Sequence, residues 1–305
     1  MAKPEIDVII PVYRPGNTFR ELLERLENQT VKPSRILLVN TEKQFFDEHC
    51  IEGFSNIEVT HISKREFDHG GTRHMAASCL SGEFFLFLTQ DALPADDRLI
   101  EELHRPFSSD RVAVAYARQL PAQDCNAIER YVRSFNYGDE SRIKTAEDLP
   151  ELGIKTFFCS DVCAMYRRSA YEESGGFVRH TIFNEDMILA GRLIQNGAAV
   201  AYCAQAQVIH SHNYSGRQQF HRNFDLGVSQ AEHPEIFEGI RSESEGIRMV
   251  KQTAGYLIRT KKPYLLPRLV WQSGCKFLGY RLGKNFRKLP AWLIRQCTAN
   301  RDYWR

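Results

Sequence analysis

Three mostly apolar runs constrain this chain more than anything else in it: IDVIIPV at 6–12, interrupted only by Asp7, RILLV at 35–39, apolar after Arg35, and FFLFL at 84–88. A strand with one wet face alternates apolar and polar residues, whereas a strand continuous in Val, Ile, Leu and Phe has both faces buried. Such strands belong to an α/β fold, in a largely parallel sheet with helices packed on each side. The intervening segments supply the helices. Asn17 and Thr18 are capping residue types, and Phe19, Leu22, Leu23 and Leu26 follow them at helical spacing. Residues 72–80 form a second helix with Ala76, Ala77 and Leu80 inward, and residues 56–62 (NIEVTHI) an alternating strand. Further on, 120–155 reads as helix and loop, 156–166 as strand-like, 186–196 as an amphipathic helix closed by Gly197, and 198–209 as another strand. Beyond about residue 213 the pattern turns helical. Ligands of such sheets gather beyond the carboxyl ends of the strands, where Tyr13, Asn40, the 64–74 loop and Gln90-Asp91 fall.

Composition narrows the class. With 305 residues, 43% hydrophobic and 26% charged, the chain is neither collagen-like, disordered nor a disulfide scaffold. The net charge of +2 conceals an asymmetry: residues 241–305 hold fifteen Lys/Arg against three Asp/Glu, leaving residues 1–240 at −10. The N-terminus has no apolar core of a signal peptide, and no segment approaches the ~18 apolar residues of a spanning helix. The eight cysteines include no CxxC pair, and Cys159 and Cys163 fit a helix turn or a strand as readily as a metal site. Free thiols in a reducing cytoplasm are expected.

Several segments carry candidate chemistry. Asp91, in Thr89-Gln90-Asp91-Ala92 after the FFLFL strand, is placed to hold a divalent cation against a diphosphate, or merely to start a turn. Glu185 and Asp186 at a helix start suit either the helix dipole or a fixed general base. His210 and His212, two apart after the last strand, can reach one metal together; a pure zinc site lacks further ligands. In KREFDHGGTRH (64–74), Gly70 and Gly71 let backbone N–H groups approach a phosphate, and Arg73 adds a bidentate anion donor. That loop is neither a Walker A loop nor GxGxxG.

Taken in order, IDVIIPVY, RILLVN, the FDHGGTR loop, FFLFLTQDA, GGF…NEDMILAGRLIQNG and VIHSHNYS resemble the family 2 inverting glycosyltransferases of the GT-A fold, over roughly residues 5–225. The FDHGGTR loop and LTQDA are similar to the rhamnosyltransferase branch, which uses dTDP-L-rhamnose. The resemblance implies a Rossmann-like GT-A domain at 1–225 and a basic, mainly helical region at 226–305. It places Pro11, Val12 and Tyr13 at the nucleotide base and ribose, Asn40 where the family has a base-contacting Asp, and Arg73 at the nucleotide side of the donor. It also puts Gln90 and Asp91 at the donor, with Asp91 as the metal-binding residue of the motif, and gives Asp186 the role of base and His210 or His212 a further metal or diphosphate contact. Arg222 becomes a diphosphate clamp; Asp161 and Glu185 border the acceptor. The implied cofactor is Mg²⁺ or Mn²⁺, and the implied acceptor a lipid-linked saccharide of a cell-surface polymer.

Three departures stand against that pattern: Thr89 replaces the first Asp of the DxD motif, Asn40 replaces the base-reading Asp, and the processive QxxRW signature is absent. Another nucleotide sugar, a nucleotidyltransferase and an inactive relative remain alternatives. All three tryptophans, Trp271, Trp292 and Trp304, lie among the basic residues of the tail. That mixture suits an anionic membrane surface on the cytoplasmic side. A subunit interface competes with it, and nucleic acid is disfavoured by the acidic body.

Overall fold

The computed structural model describes residues 4–240 and 243–304. Residues 1–3, 241–242 and 305 of the expected regions lie outside the described residues. The strands are β1 (Ile6–Val12), β2 (Arg35–Thr41), β3 (Ile57–Ile62), β4 (Phe84–Leu88), β5 (Leu93–Pro94), β6 (Val112–Leu120), β7 (Arg142–Lys144), β8 (Cys163–Arg167) and β9 (Ala199–Ile209). They join one sheet in the order β3-β2-β1-β4-β8-β6-β9-β5, with β7 on β9. β1–β4, β6 and β9 run one way, and β5, β7 and β8 the other.

The helices are α1 (Phe19–Glu27), α2 (His69–Ser78), α3 (Leu99–His104), α4 (Ala127–Asn136), α5 (Leu149–Leu152), α6 (Arg168–Glu173) and α7 (Glu185–Gln195). Then come α8 (Gly216–Glu232), α9 (Pro234–Phe237), α10 (Glu243–Arg259), α11 (Leu266–Lys284) and α12 (Ala291–Cys297).

The continuous apolar strands are buried on both faces, as their composition requires. Ile9, Leu37, Phe85 and Phe87 enter one core cluster, while their neighbours Val8, Ile10, Ile36, Leu38, Phe84 and Leu86 enter the other. Alternation along one strand thus feeds two hydrophobic layers. Burial of this kind contributes roughly 1.5–3 kcal/mol per large side chain.

Local chemistry moves some expected boundaries. The helix expected at 72–80 begins at His69, because the Asp68 carboxylate accepts the Gly71 N–H at 2.7 Å and caps it. Residues 156–166 are not one strand: a 3₁₀ turn covers Gly153–Phe157, and β8 starts only at Cys163. Between 120 and 155 the short strand β7 adds to the expected helix and loop. The expected division at 225 falls inside α8, which packs along α11 through Phe224 and Gly227. Asp225 ties that helix to the C-terminal segment, accepting Thr298 Oγ1 at 2.6 Å and Ala299 N–H at 2.9 Å. Among the described residues all eight cysteines are free thiols, and no helix is long and apolar enough to cross a membrane.

Candidate active site

Beyond the carboxyl ends of β4, β6 and β9 lies a cleft of about 430 Å³, lined on its polar side by Arg73, Asp91, Asp161, Glu185, Asp186, His210, His212 and Arg222. Three chain segments supply its metal-type cluster and its acidic pair. β4 delivers Thr89-Gln90-Asp91, turned by the Ala92 N–H to Thr89 carbonyl bond. The end of β9 delivers the two histidines, and the start of α7 delivers the two acidic residues.

Asp91, His210 and His212 offer ligand atoms within 4.8 Å of one another. The His212 and His210 Nε2 atoms stand 3.4 and 3.6 Å from Asp91 Oδ2. Burial alone would raise the Asp91 carboxyl, but His210, Thr89 and His212 overcome it and hold the group well below the usual carboxylate range. Burial, with His210 beside it, depresses His212 to about 4, so its imidazole is neutral and available as a ligand. Gln119, at the carboxyl end of β6, orients the other histidine: its Oε1 accepts His210 Nδ1 at 3.0 Å and also accepts Arg133 Nη1. With Nδ1 carrying the proton, Nε2 presents its lone pair to the cleft. One carboxylate, two imidazoles and this supporting amide fit a divalent cation of the Mn²⁺ type, which accepts both oxygen and imidazole nitrogen.

In the same cleft two carboxyl groups, Glu185 and Asp161, meet one guanidinium, with Asp186 beside them. Asn184 precedes α7 with φ of +64°, a left-handed conformation that Asn tolerates, and turns Glu185 and Asp186 inward. Arg73 Nη1 meets Glu185 Oε1 at 3.0 Å, and its Nε stands 3.4 Å from Asp161 Oδ2. Burial would raise Glu185, yet Arg73 and His69 keep it charged and below its ordinary value. Asp161 is pushed well up by burial and by the Asp186 charge, and Tyr166 donates its hydroxyl to it at 2.6 Å. Asp186 is pushed up to about 7 by burial and by Glu185, against the N–H groups of Asp161 and Met187, which bond it at 3.1 and 2.7 Å. A carboxyl poised near 7 is matched to accepting a proton at neutral pH.

The structure places several of these residues in surroundings that the sequence did not foretell. Arg73 does not reach out as an anion donor; it is 8% exposed and neutralises Glu185 beside Asp161, so neither Glu185 nor Asp161 presents a free carboxylate to an acceptor. Gly70 and Gly71 form no phosphate cradle. A Cβ on Gly70 would stand 1.9 Å from the Val178 carbonyl, one on Gly71 2.7 Å from that of Arg179, and the Gly71 N–H already serves Asp68. These glycines exist for close packing. Asn40 is fully buried, bonded to His61 Nδ1 and the Glu42 carbonyl. Pro11, Val12 and Tyr13 lie at the end of β1, outside the cleft lining, with Tyr13 exposed beside Phe45. Gln90 clamps Tyr13 through both backbone groups, at 2.7 and 3.0 Å, and so fixes the β1 end to the Asp91 turn. Arg222 is exposed at the cleft, its guanidinium over Tyr214 and Phe183. Gln119, Arg133, Tyr166 and Tyr214 escaped the sequence reading; of these, Gln119 alone carried a signal, a polar residue near the carboxyl end of an apolar strand.

Comparison with known proteins matches this architecture. The family model for glycosyl transferase family 2 matches residues 7–175. The chain is 40% identical over 304 residues to the O-antigen chain rhamnosyltransferase RfbN of Salmonella typhimurium, covering 98% of this chain and 96% of that protein. It is also 40% identical to the O-antigen chain rhamnosyltransferase WbaN of Salmonella anatum, covering 99% and 96%. Among solved structures, the mannosyltransferase PcManGT from Pyrobaculum calidifontis, in complex with GDP-Man and Mn²⁺, superposes with a TM-score of 0.58 at 14% identity, covering 100% of this chain and 86% of that one. TarS 1–349 of S. aureus gives 0.52 at 14% identity, with 93% and 91% covered. These two share the fold. With its family model matched over more than half its length and relatives of 40% identity along nearly all of it, the chain belongs to glycosyl transferase family 2 and is a glycosyltransferase.

Proposed function

We propose that this enzyme transfers L-rhamnose from dTDP-L-rhamnose, with inversion, to a hydroxyl of a growing lipid-linked cell-surface saccharide at the cytoplasmic face of the membrane. The observation that carries the chemistry is one cleft holding both a carboxyl poised near 7, Asp186, and a metal-type cluster, Asp91, His210 and His212. The rhamnose assignment rests on the FDHGGTR and LTQDA segments and on the two 40% identical relatives.

Asp186 takes the proton of the acceptor hydroxyl as its oxygen forms a bond to the anomeric carbon. The bond from that carbon to the diphosphate breaks, and its electron pair leaves with the nucleotide. Asp91, His210 and His212 would hold Mn²⁺ or Mg²⁺, which when bound would supply charge neutralisation at the departing diphosphate. Arg222, exposed at the cleft, adds a second positive charge there. Gln90 and Tyr13 hold the β1 end where a nucleotide base would lie.

The test is release of nucleoside diphosphate from a panel of dTDP-, UDP- and GDP-sugars, offered with an O-antigen lipid fraction as acceptor, with Mn²⁺ or Mg²⁺ and then with EDTA. Metal-dependent turnover of dTDP-L-rhamnose alone is expected. Turnover of another nucleotide sugar in its place overturns the rhamnose assignment, and full activity in EDTA overturns the metal assignment.

A further inference from the structure

α11 is apolar on two opposite sides, and only one of them is covered. Leu269, Gln272, Gly279 and Gly283 face inward, the last two so tightly against Phe220 and Phe224 that a Cβ would stand 2.2 and 2.1 Å from their carbonyl oxygens. The other side, at the same helical spacing, presents Val270 and Trp271, each 68% exposed, then Phe277 and Leu278, each 56% exposed. Exposed Lys261 and Arg268 precede this stripe, and exposed Arg281, Arg287 and Lys288 follow it. Large apolar side chains exposed together on one helix face mark a surface that meets a partner or a membrane.

We propose that this side of α11 lies in the interface of an anionic lipid bilayer, seating the cleft at the surface where a lipid-linked acceptor resides. The proposal rests on the functional reading above and names its surface. Charge selects the occupant. A second copy meeting this face about a two-fold axis would oppose one basic tail, +12 over residues 241–305, with another. An anionic surface instead complements the exposed Lys261, Arg268, Arg281, Arg287 and Lys288 that flank the stripe. Trp flanked by Arg and Lys, with Phe and Leu between, matches the depth profile of an interfacial helix.

The same helix reaches the catalytic cleft. Gln272 donates to the Tyr214 carbonyl at 3.0 Å, Tyr214 lines the cleft, and its ring stacks on His212 at 4.9 Å. A hydrogen bond from the covered side of α11 therefore fixes the wall of the site relative to the exposed side.

Flotation of the full-length protein with phosphatidylcholine vesicles, with and without phosphatidylglycerol, tests the assignment. Binding to the anionic vesicles, weakened by salt, is expected, with at least about a tenfold loss in the Trp271→Ser/Phe277→Ser/Leu278→Ser variant. An Arg281→Glu/Arg287→Glu variant, which leaves the apolar stripe intact, should lose binding as well. Failure of the wild type to float, or flotation of the triple variant at the wild-type level, overturns the proposal. So does a wild-type dimer by light scattering that the triple variant abolishes while neither protein floats. Nucleotide-sugar turnover without vesicles reads the function separately: its failure alongside normal flotation sinks the donor assignment and leaves this surface standing.

Discussion

Replacing Arg73 by Met tests the electrostatic account of the site. Arg73 and Glu185 are 8% and 6% exposed, and their charged atoms meet at 3.0 Å. Removing one partner of a buried pair strands the other charge, which costs about 3–5 kcal/mol. Asp161 adds little to this, because burial and Asp186 already favour its protonated form. In a chain of this size the loss lowers Tm by on the order of 10 °C. The expected pH dependence follows from the sign of the shift. In the wild type Glu185 is lowered, so its contribution is present above the unfolded carboxyl value of about 4.3 and is lost as pH falls through the folded value. In Arg73→Met the same carboxyl, buried without its cation, is raised instead, so the deficit is full near pH 8 and shrinks as pH falls towards 4.3. The double variant Arg73→Met/Glu185→Gln removes the stranded charge and should recover much of the stability. Denaturant unfolding at pH 8 and pH 5 measures all three proteins. A single variant within about 1 kcal/mol of the wild type at pH 8, or a double variant no better than the single, refutes the buried-pair account.

Further outcomes follow from neighbouring groups. With Asp186 pushed up to about 7 and needed as the carboxylate, kcat/KM should rise with pH through that value. Asp186→Asn should lose on the order of 10²-fold or more in kcat. That variant should also be more stable than the wild type at pH 8, the gap closing towards pH 4, because a raised carboxyl destabilises the fold only where it is ionised. Gln119→Ala should weaken Mn²⁺ binding by about 10–100-fold in calorimetry, through loss of His210 orientation. Gly70→Ala should lower Tm with little change in KM for the nucleotide sugar, since its Cβ meets the Val178 carbonyl and not the cleft; a raised KM with unchanged Tm would return the glycine to phosphate binding.

What the sequence carried and what it withheld divide along a physical line. Strands β1, β2 and β4 were legible because burial on both faces leaves an unmistakable apolar run, and their order placed Asp91 and the histidines at one end of the sheet. β8 was legible only as part of the strand-like stretch 156–166 and without its direction, because its antiparallel entry between β4 and β6 is a pairing made by distant segments. The same distinction separates the site residues. Asp91, Asp186, His210 and His212 announce themselves by type and by position at element ends. The partner of a buried charge has no such local signature: nothing around Arg73 in the chain says that it will meet Glu185, 112 positions later, instead of a phosphate. Gly-Gly beside an Arg suits both a phosphate loop and a tightly packed helix start, and only the Val178 and Arg179 carbonyls decide between them.

The burial of Arg73 accounts for a division of labour between the two acidic residues of α7. Both stand at the same helix N-terminus and feel the same dipole, yet one is lowered and the other raised. Glu185 captures the guanidinium and stays ionised. Asp186, one residue on, is buried and faces the Glu185 charge, which together outweigh the two backbone N–H bonds it accepts, so its proton is held until near neutrality. A lone carboxylate at a helix start would titrate near 4 and make a feeble base. Burial supplies the larger part of the missing basicity and the ionised neighbour adds to it, and Arg73 is what lets that neighbour remain charged in a buried place. On this account Glu185→Gln should lower the pH at which kcat/KM rises, moving the limb below 7 and slowing the rate on the plateau, while Arg73→Lys, which keeps the cation, leaves the limb in place. An unchanged limb in Glu185→Gln would mean that burial alone sets Asp186 and that the pairing with Arg73 serves only the fold.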